Sequence, residues 1–141
     1  MTERFLIWGA GGHGRVVCDM LLACGDTVVG FVDRAPQGPD ILTCSGERVP
    51  LLADGELAGA TAVAVAVGDN GARLARFEEW SRRWPCPSRV HPTAIIGRGV
   101  TIGEGTMVLP GVVINTGARI GRAVIVNTGV VVEHDCVLDD G

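Results

Sequence analysis

The chain has 141 residues, 47% of them apolar, and a formal net charge of −4. That apolar content is enough to bury a core in one ordinary domain or two compact ones, which excludes a disordered chain. The acidic balance excludes a broad face for a polyanion, so nucleic acid is not an expected partner.

Met1-Thr2-Glu3-Arg4 is followed by a short apolar run, Phe5-Leu6-Ile7-Trp8. The run is too short for a signal peptide or a membrane span, and the expected location is the cytoplasm. It reads instead as a first strand, with a helix over Gly12 to Cys24 and a second strand over Thr27 to Val32. Residues 34–60 are rich in Pro, Gly and Asp and read as a connection holding one short strand near Val49 and a helical turn near Glu56. Thr61 to Val67 is a buried strand by its β-branched content, and Asn70 to Trp84 is a helix capped by Asp69 or Asn70 and ended by Pro85 and Pro87. Strands alternating with helices predict a Rossmann-like α/β domain with a small parallel sheet over residues 1–87.

From Val90 the rhythm changes. An aliphatic residue recurs at every sixth position, as Val90, Ile96, Ile102, Val108, Ile114, Ile120, Val126, Val132 and Leu138. Small or β-branched residues follow four places after them, at Ala94, Val100, Thr106, Val112, Ala118, Val124 and Val130, with Cys136 completing the series. A six-residue period fits neither an α-helix nor a plain strand, because the chain must turn a corner after each short strand. It predicts a left-handed parallel β-helix over residues 88–141: a three-sided coil with the aliphatic side chains stacked inside and glycines such as Gly97, Gly103 and Gly121 at the corners. The five cysteines (Cys18, Cys24, Cys44, Cys86 and Cys136) contain no C-x-x-C pair, so they read as reduced, mostly core-filling residues with no metal to hold.

Gly9-x-Gly11-x-x-Gly14 stands between a strand and a helix, with Asp33 following the second strand. Glycines there let a phosphate approach the backbone, and the helix N-terminus offers amide donors. Two ligands fit this pattern equally: a dinucleotide such as NAD, which makes the protein an oxidoreductase, and a nucleoside diphosphate of another kind.

Taken together, Gly9-Ala10-Gly11-Gly12-His13-Gly14-Arg15-Val16-Val17, Gly30-Phe31-Val32-Asp33, Val67-Gly68-Asp69-Asn70 with Arg73, His91-Pro92-Thr93-Ala94 and Glu133-His134-Asp135-Cys136 resemble the hexapeptide-repeat sugar acyltransferases. This is the bacterial family that includes sialic acid O-acetyltransferases and the N-acetyltransferases of nucleotide-linked amino sugars of the bacillosamine and perosamine type. The resemblance implies an acetyltransferase of surface-glycan synthesis that uses acetyl-CoA, works as a homotrimer with sites between neighbouring prisms, and binds no metal. It further implies that Gly9, Gly11, Gly12, His13, Gly14 and Asp33 hold the nucleotide of the acceptor, and that Asn127 contacts its sugar.

Acetyl transfer needs a base, and the chain has three histidines. His91 precedes Pro92 at the entry to the repeats and His13 belongs to the glycine loop, which leaves His134. In similar enzymes the acidic residue after the histidine orients it, which maps to Asp135, with Glu133 the second candidate. Those enzymes continue for several more coils and a cap, where this sequence stops at Gly141; the expectation is a truncated form, and an inactive remnant stays open as a reading.

Overall fold

The computed structural model describes residues 2–35, 38, 40–42, 46–53 and 55–141, so the expectation for Cys44 lies outside the described residues. The first half runs β1 (Arg4–Trp8), α1 (Gly12–Ala23), β2 (Thr27–Val32), β3 (Asp40–Leu42), β4 (Arg48–Leu52), β5 (Ala62–Val65) and α2 (Asn70–Ser81). These strands make one sheet in the order β3-β4-β2-β1-β5, parallel except where β3 folds back on β4. Period-2 alternation along β1 decides which helix covers which face. Phe5 and Ile7 pack with Val17, Met20 and Leu21 of α1, while Leu6 and Trp8 pack with Phe77 and Trp80 of α2. Burial of each large side chain contributes about 1.5–3 kcal/mol.

Two local features differ from the sequence reading. The strand β3 was missed because three residues are too few for an alternating pattern to register, and its pairing depends on β4, with the exposed Asp40–Arg48 ion pair, N to O 2.7 Å, spanning the two strands. The second helix stops at Ser81, short of Trp84. Pro85 disfavours helical backbone at the residue before it, and the chain tightens into a turn with the Arg83 amide donating to the Trp80 carbonyl at 3.0 Å. Of the two candidate caps, Asp69 does the capping, accepting the Ala72 amide at 2.8 Å.

From Arg89 onward nine two-residue strands follow: β6 (Arg89–Val90), β7 (Ile95–Ile96), β8 (Thr101–Ile102), β9 (Met107–Val108), β10 (Val113–Ile114), β11 (Arg119–Ile120), β12 (Ile125–Val126), β13 (Val131–Val132) and β14 (Val137–Leu138). Every third strand stacks in parallel register, giving three sheets, β6-β9-β12, β7-β10-β13 and β8-β11-β14, the walls of a left-handed β-helix. Inside lie Val108, Ile114, Ile120, Val126 and Val132 with Val112, Ala118 and Val124, all buried. Ile96 and Val130 are partly open at 37% and 36% exposure, and Cys136 is exposed, so the core-filling reading of Cys136 does not hold. Cys18 and Cys86 are buried free thiols.

The corner geometry also corrects the sequence reading. Left-handed backbone falls on a column of its own, Gly99, Gly105, Gly111, Gly117 and Gly129, continued by the non-glycine residues Ala123 and Asp135. Gly97, Gly103 and Gly121 are needed for another reason: a Cβ on any of them would come within 2.6 to 2.7 Å of the backbone in the coil stacked against it.

The sheet β6-β9-β12 faces the α/β half. Its outward residues Met107 and Ile125, with Leu109, join the core that α1 and β1 build. Arg89 of β6 clasps the buried Asp26 carboxylate with two nitrogens, Nε to Oδ2 2.7 Å and Nη2 to Oδ1 3.2 Å. Behind α2, the buried Arg73 donates to the carbonyls of Ala123 (2.7 Å), Val67 and Gly68 (2.9 Å each) and to Asn70 Oδ1 (2.8 Å), tying the turn after β5 to a corner of the coil. Burial pulls the Arg73 guanidinium below its ordinary pKa, partly offset by Asp69.

Candidate functional site

A cleft of about 610 Å³ opens at the carboxyl edge of β1 and β2, lined by Gly11, Gly12, Arg15, Asp33, Asp40 and Ile41 together with Ala10 and Ala35. Its position beside the strand-order reversal at β1 is where open α/β sheets bind ligands. Gly11 is the N-cap of α1, no side chain caps the helix, and its first turn carries no acidic residue. The leading amides and the positive end of the helix dipole therefore face the cleft with no acidic side chain of the helix itself to offset them.

The loop glycines divide by job. Gly9 has φ +112° and a Cβ there would meet the Ala66 carbonyl oxygen at 2.5 Å, while a Cβ on Gly14 would collide with the Gly9 carbonyl. Those two close the loop on the sheet. Nothing lies within 4 Å of a Cβ at Gly11 or Gly12, so these two leave open space on the cleft wall.

Asp33 lines the same wall and braces the loop: Oδ2 accepts the Ala10 amide at 2.8 Å and Oδ1 the Ala35 amide at 3.0 Å. The amides of Ala35 and Ala10 hold its carboxyl below the usual range. His13 sits in the first turn of α1 and is not among the cleft-lining residues. Burial, then the charge of Arg73, lowers its pKa, and its Nε2 is buried with no partner among the described residues.

Far along the coil, His134 stands at the corner between β13 and β14, with Nδ1 2.8 Å from Asp135 Oδ2. The Asp135 hydrogen bond and charge raise the imidazole above its ordinary value. Glu133 instead turns to the coil before it, where Oε2 accepts Asn115 Nδ2 at 2.9 Å. Asn127 closes the preceding corner, between β12 and β13, and its Oδ1 accepts the Thr128 amide at 2.9 Å. Because β6-β9-β12 is the wall packed on the α/β half, the His134 corner, shared by the other two walls, lies on the side of the prism turned away from it. The cleft and His134 are thus two separate places on one chain.

The PglD N-terminal domain family matches residues 4–80, more than half of the chain. This chain belongs to that family. The match to the PglD N-terminal domain takes in the whole glycine loop, Asp33 and Arg73, and stops before the coil. No curated protein sequence matches the chain. Among solved structures, a mutant perosamine N-acetyltransferase from Caulobacter crescentus, in complex with CoA and GDP-perosamine, is 36% identical with a TM-score of 0.82, covering 96% of this chain and 65% of its own. The acetyltransferase domain of PglB from Neisseria gonorrhoeae FA1090, in complex with acetyl coenzyme A, is 28% identical with a TM-score of 0.83, covering 99% of this chain and 69% of its own. This chain therefore spans about two thirds of the length of the proteins it resembles.

Sequence reasoning missed Arg15 and Asp40 in the cleft and the Asn115–Glu133 bond at the coil. The last was accessible: one turn of this coil is 18 residues, the separation of Asn115 and Glu133. Asp40 offered no such signal, since its place depends on the short strand β3. Among the described residues no cluster of His, Cys, Asp and Glu could hold a metal ion, and no helix is long and apolar enough to cross a membrane.

Proposed function

We propose that this protein is an acetyl-CoA-dependent acetyltransferase acting on a nucleotide-linked amino sugar, as an enzyme of bacterial surface-glycan synthesis in the cytoplasm. The similar perosamine N-acetyltransferase is in complex with CoA and GDP-perosamine, and the PglB domain with acetyl coenzyme A. Gly11, Gly12 and the start of α1 receive the diphosphate, with Gly9, Gly14 and Asp33 holding the loop that does so and His13 beside it.

The observation that carries the reading is the exposed imidazole of His134 with Nδ1 fixed by Asp135. A proton on Nδ1 shared with that carboxylate leaves the Nε2 lone pair for the substrate. As the sugar amine attacks the thioester carbonyl, the C–N bond forms and the amine proton passes to Nε2. Collapse of the tetrahedral intermediate breaks the C–S bond, and the departing thiolate takes a proton. Asn127 contacts the sugar from the neighbouring corner.

Separation of cleft and base on one chain favours a homotrimer, in which one copy's sugar reaches another's histidine. The wall β7-β10-β13 supports this, because it presents the outward apolar column Ile95, Val113 and Val131, with Ile95 65% and Val131 57% exposed next to the His134 corner. The rival oxidoreductase reading loses ground because both oxygens of Asp33 already serve loop amides, where a dinucleotide site presents this carboxylate to the ribose.

The test is acetyl transfer from acetyl-CoA to a panel of nucleotide amino sugars, comparing wild type with His134→Ala. The expected loss is about 10²–10⁴-fold in kcat, with nucleotide-sugar affinity unchanged. Undiminished turnover in the variant would remove His134 from the chemistry.

A further inference from the structure

Resting on the nucleotide reading of the cleft, we propose that Asp40 on its wall, with Arg48 bonded to it and not itself a lining residue, forms the base-recognition edge and selects guanine. The cleft also takes in β3, which contributes Asp40 and the half-buried Ile41. Ile41 packs on the α1-side core and leaves part of its apolar side chain on the cleft wall, where a base can rest against it. The two carboxylates of the cleft are not equivalent. Asp33 is committed to the Ala10 and Ala35 amides, whereas the side chain of Asp40 has Arg48 as its one partner among the described residues, through Oδ1.

An ionised carboxylate accepts hydrogen bonds and donates none. It therefore favours a base edge with two adjacent donors and penalises one that presents acceptors. Guanine carries N1–H and N2–H side by side, a match for both oxygens of one carboxylate. Uracil has a single N3–H between two carbonyls, cytosine sets its amino group beside the N3 and O2 acceptors, and adenine sets N6–H beside N1; each brings a lone pair against a carboxylate oxygen. Beside the donors guanine has its O6 acceptor, and beside Asp40 stands the Arg48 guanidinium, Nη1 2.7 Å from Oδ1. At 69% exposure for the Arg48 side chain and 29% for Asp40, the pair is held weakly by itself and can be shared with a base.

Titration calorimetry with GDP, UDP, CDP and ADP on the intact protein tests this. GDP should bind at least about tenfold tighter than the other three, the discrimination expected of one bidentate charge-assisted contact. Asp40→Asn should bring GDP to the level of UDP, and Arg48→Gln should weaken GDP while keeping it first. Wild-type protein that binds all four alike, or that prefers UDP, overturns the base assignment and leaves the diphosphate loop standing. An Asp40→Asn variant that weakens all four equally also overturns it, because the carboxylate then serves the ribose. Failure of all four to bind sinks the nucleotide reading itself. The wild-type ranking decides even if Asp40→Asn does not fold.

Discussion

Asp135 reaches back from left-handed backbone, φ +59°, to set its Oδ2 2.8 Å from Nδ1 of His134. Asp tolerates that conformation better than most residues, and here it continues a column that is glycine in the coils before it, at Gly99 and Gly117. The carboxylate lies over Gly117, where a Cβ would come within 2.5 Å of Oδ1. An empty glycine in one coil thus makes room for the group that orients the histidine in the next.

The pair sets a pH dependence. Asp135 raises the imidazole above its ordinary value of 6.5, by its hydrogen bond first and its charge second, with a smaller effect of Glu133. A general base must be unprotonated, so the acid limb of kcat/KM should lie above pH 6.5, and Asp135→Asn should move it down while lowering kcat by about tenfold. The linkage to stability has the opposite sense. The folded state favours the protonated ring, so the pair's contribution is present below the ordinary value and fades as pH rises through the raised one. Both groups are exposed, so salt should reduce this contribution to stability. A limb that stays put in Asp135→Asn would separate the aspartate from the base.

The glycine loop predicts two opposite outcomes from the same substitution. Gly14→Ala drives a methyl into the Gly9 carbonyl and should destabilise the protein by roughly 1–3 kcal/mol as an overpacked contact does. Gly11→Ala meets nothing within 4 Å in the fold, so its only stability cost is the poorer N-cap, less than about 1 kcal/mol and smaller than that of Gly14→Ala. Its methyl stands on the cleft wall, so nucleotide affinity should drop. Thermal melts with and without added nucleoside diphosphate read both effects, and equal destabilisation by the two variants would contradict this division of the loop.

Much of this was legible in residue order because the decisive patterns are local and periodic. The column from Val90 to Leu138 specifies the coil by its spacing alone, and the alternation of Phe5, Leu6, Ile7 and Trp8 specifies a strand covered on both faces. His134 and Asp135 are adjacent in the chain, so their contact needs no knowledge of the fold. What stayed hidden depends on pairs far apart. Arg73 reads as a charged helix residue, yet 50 residues separate it from the Ala123 carbonyl it serves. Asp40 reads as loop until β4 pairs with it, and the left-handed corner column stands two residues after the column of Gly97, Gly103 and Gly121, which spacing alone does not separate because both are rich in glycine.

One constraint between the halves is an ion pair 63 residues apart in sequence, Asp26 after α1 and Arg89 at the entry to the coil. Asp26 is 6% exposed, takes both Arg89 nitrogens, and also accepts the Glu3 amide at 2.8 Å. The Asp26 hydrogen bond is the chief reason the Arg89 guanidinium is held above its ordinary value, and Arg89 lies 4.9 Å over the Phe5 ring. Removing one member of a buried pair leaves the other charged and unmatched, which costs about 3–5 kcal/mol. Asp26→Ala should therefore lose about that much in urea unfolding. Exchanging both partners for apolar residues of similar size, Asp26→Leu with Arg89→Met, should recover most of it, since the desolvation of two ions is then avoided. If the double variant is as unstable as Asp26→Ala, the Glu3 amide and the Phe5 contact, rather than charge pairing, hold the junction.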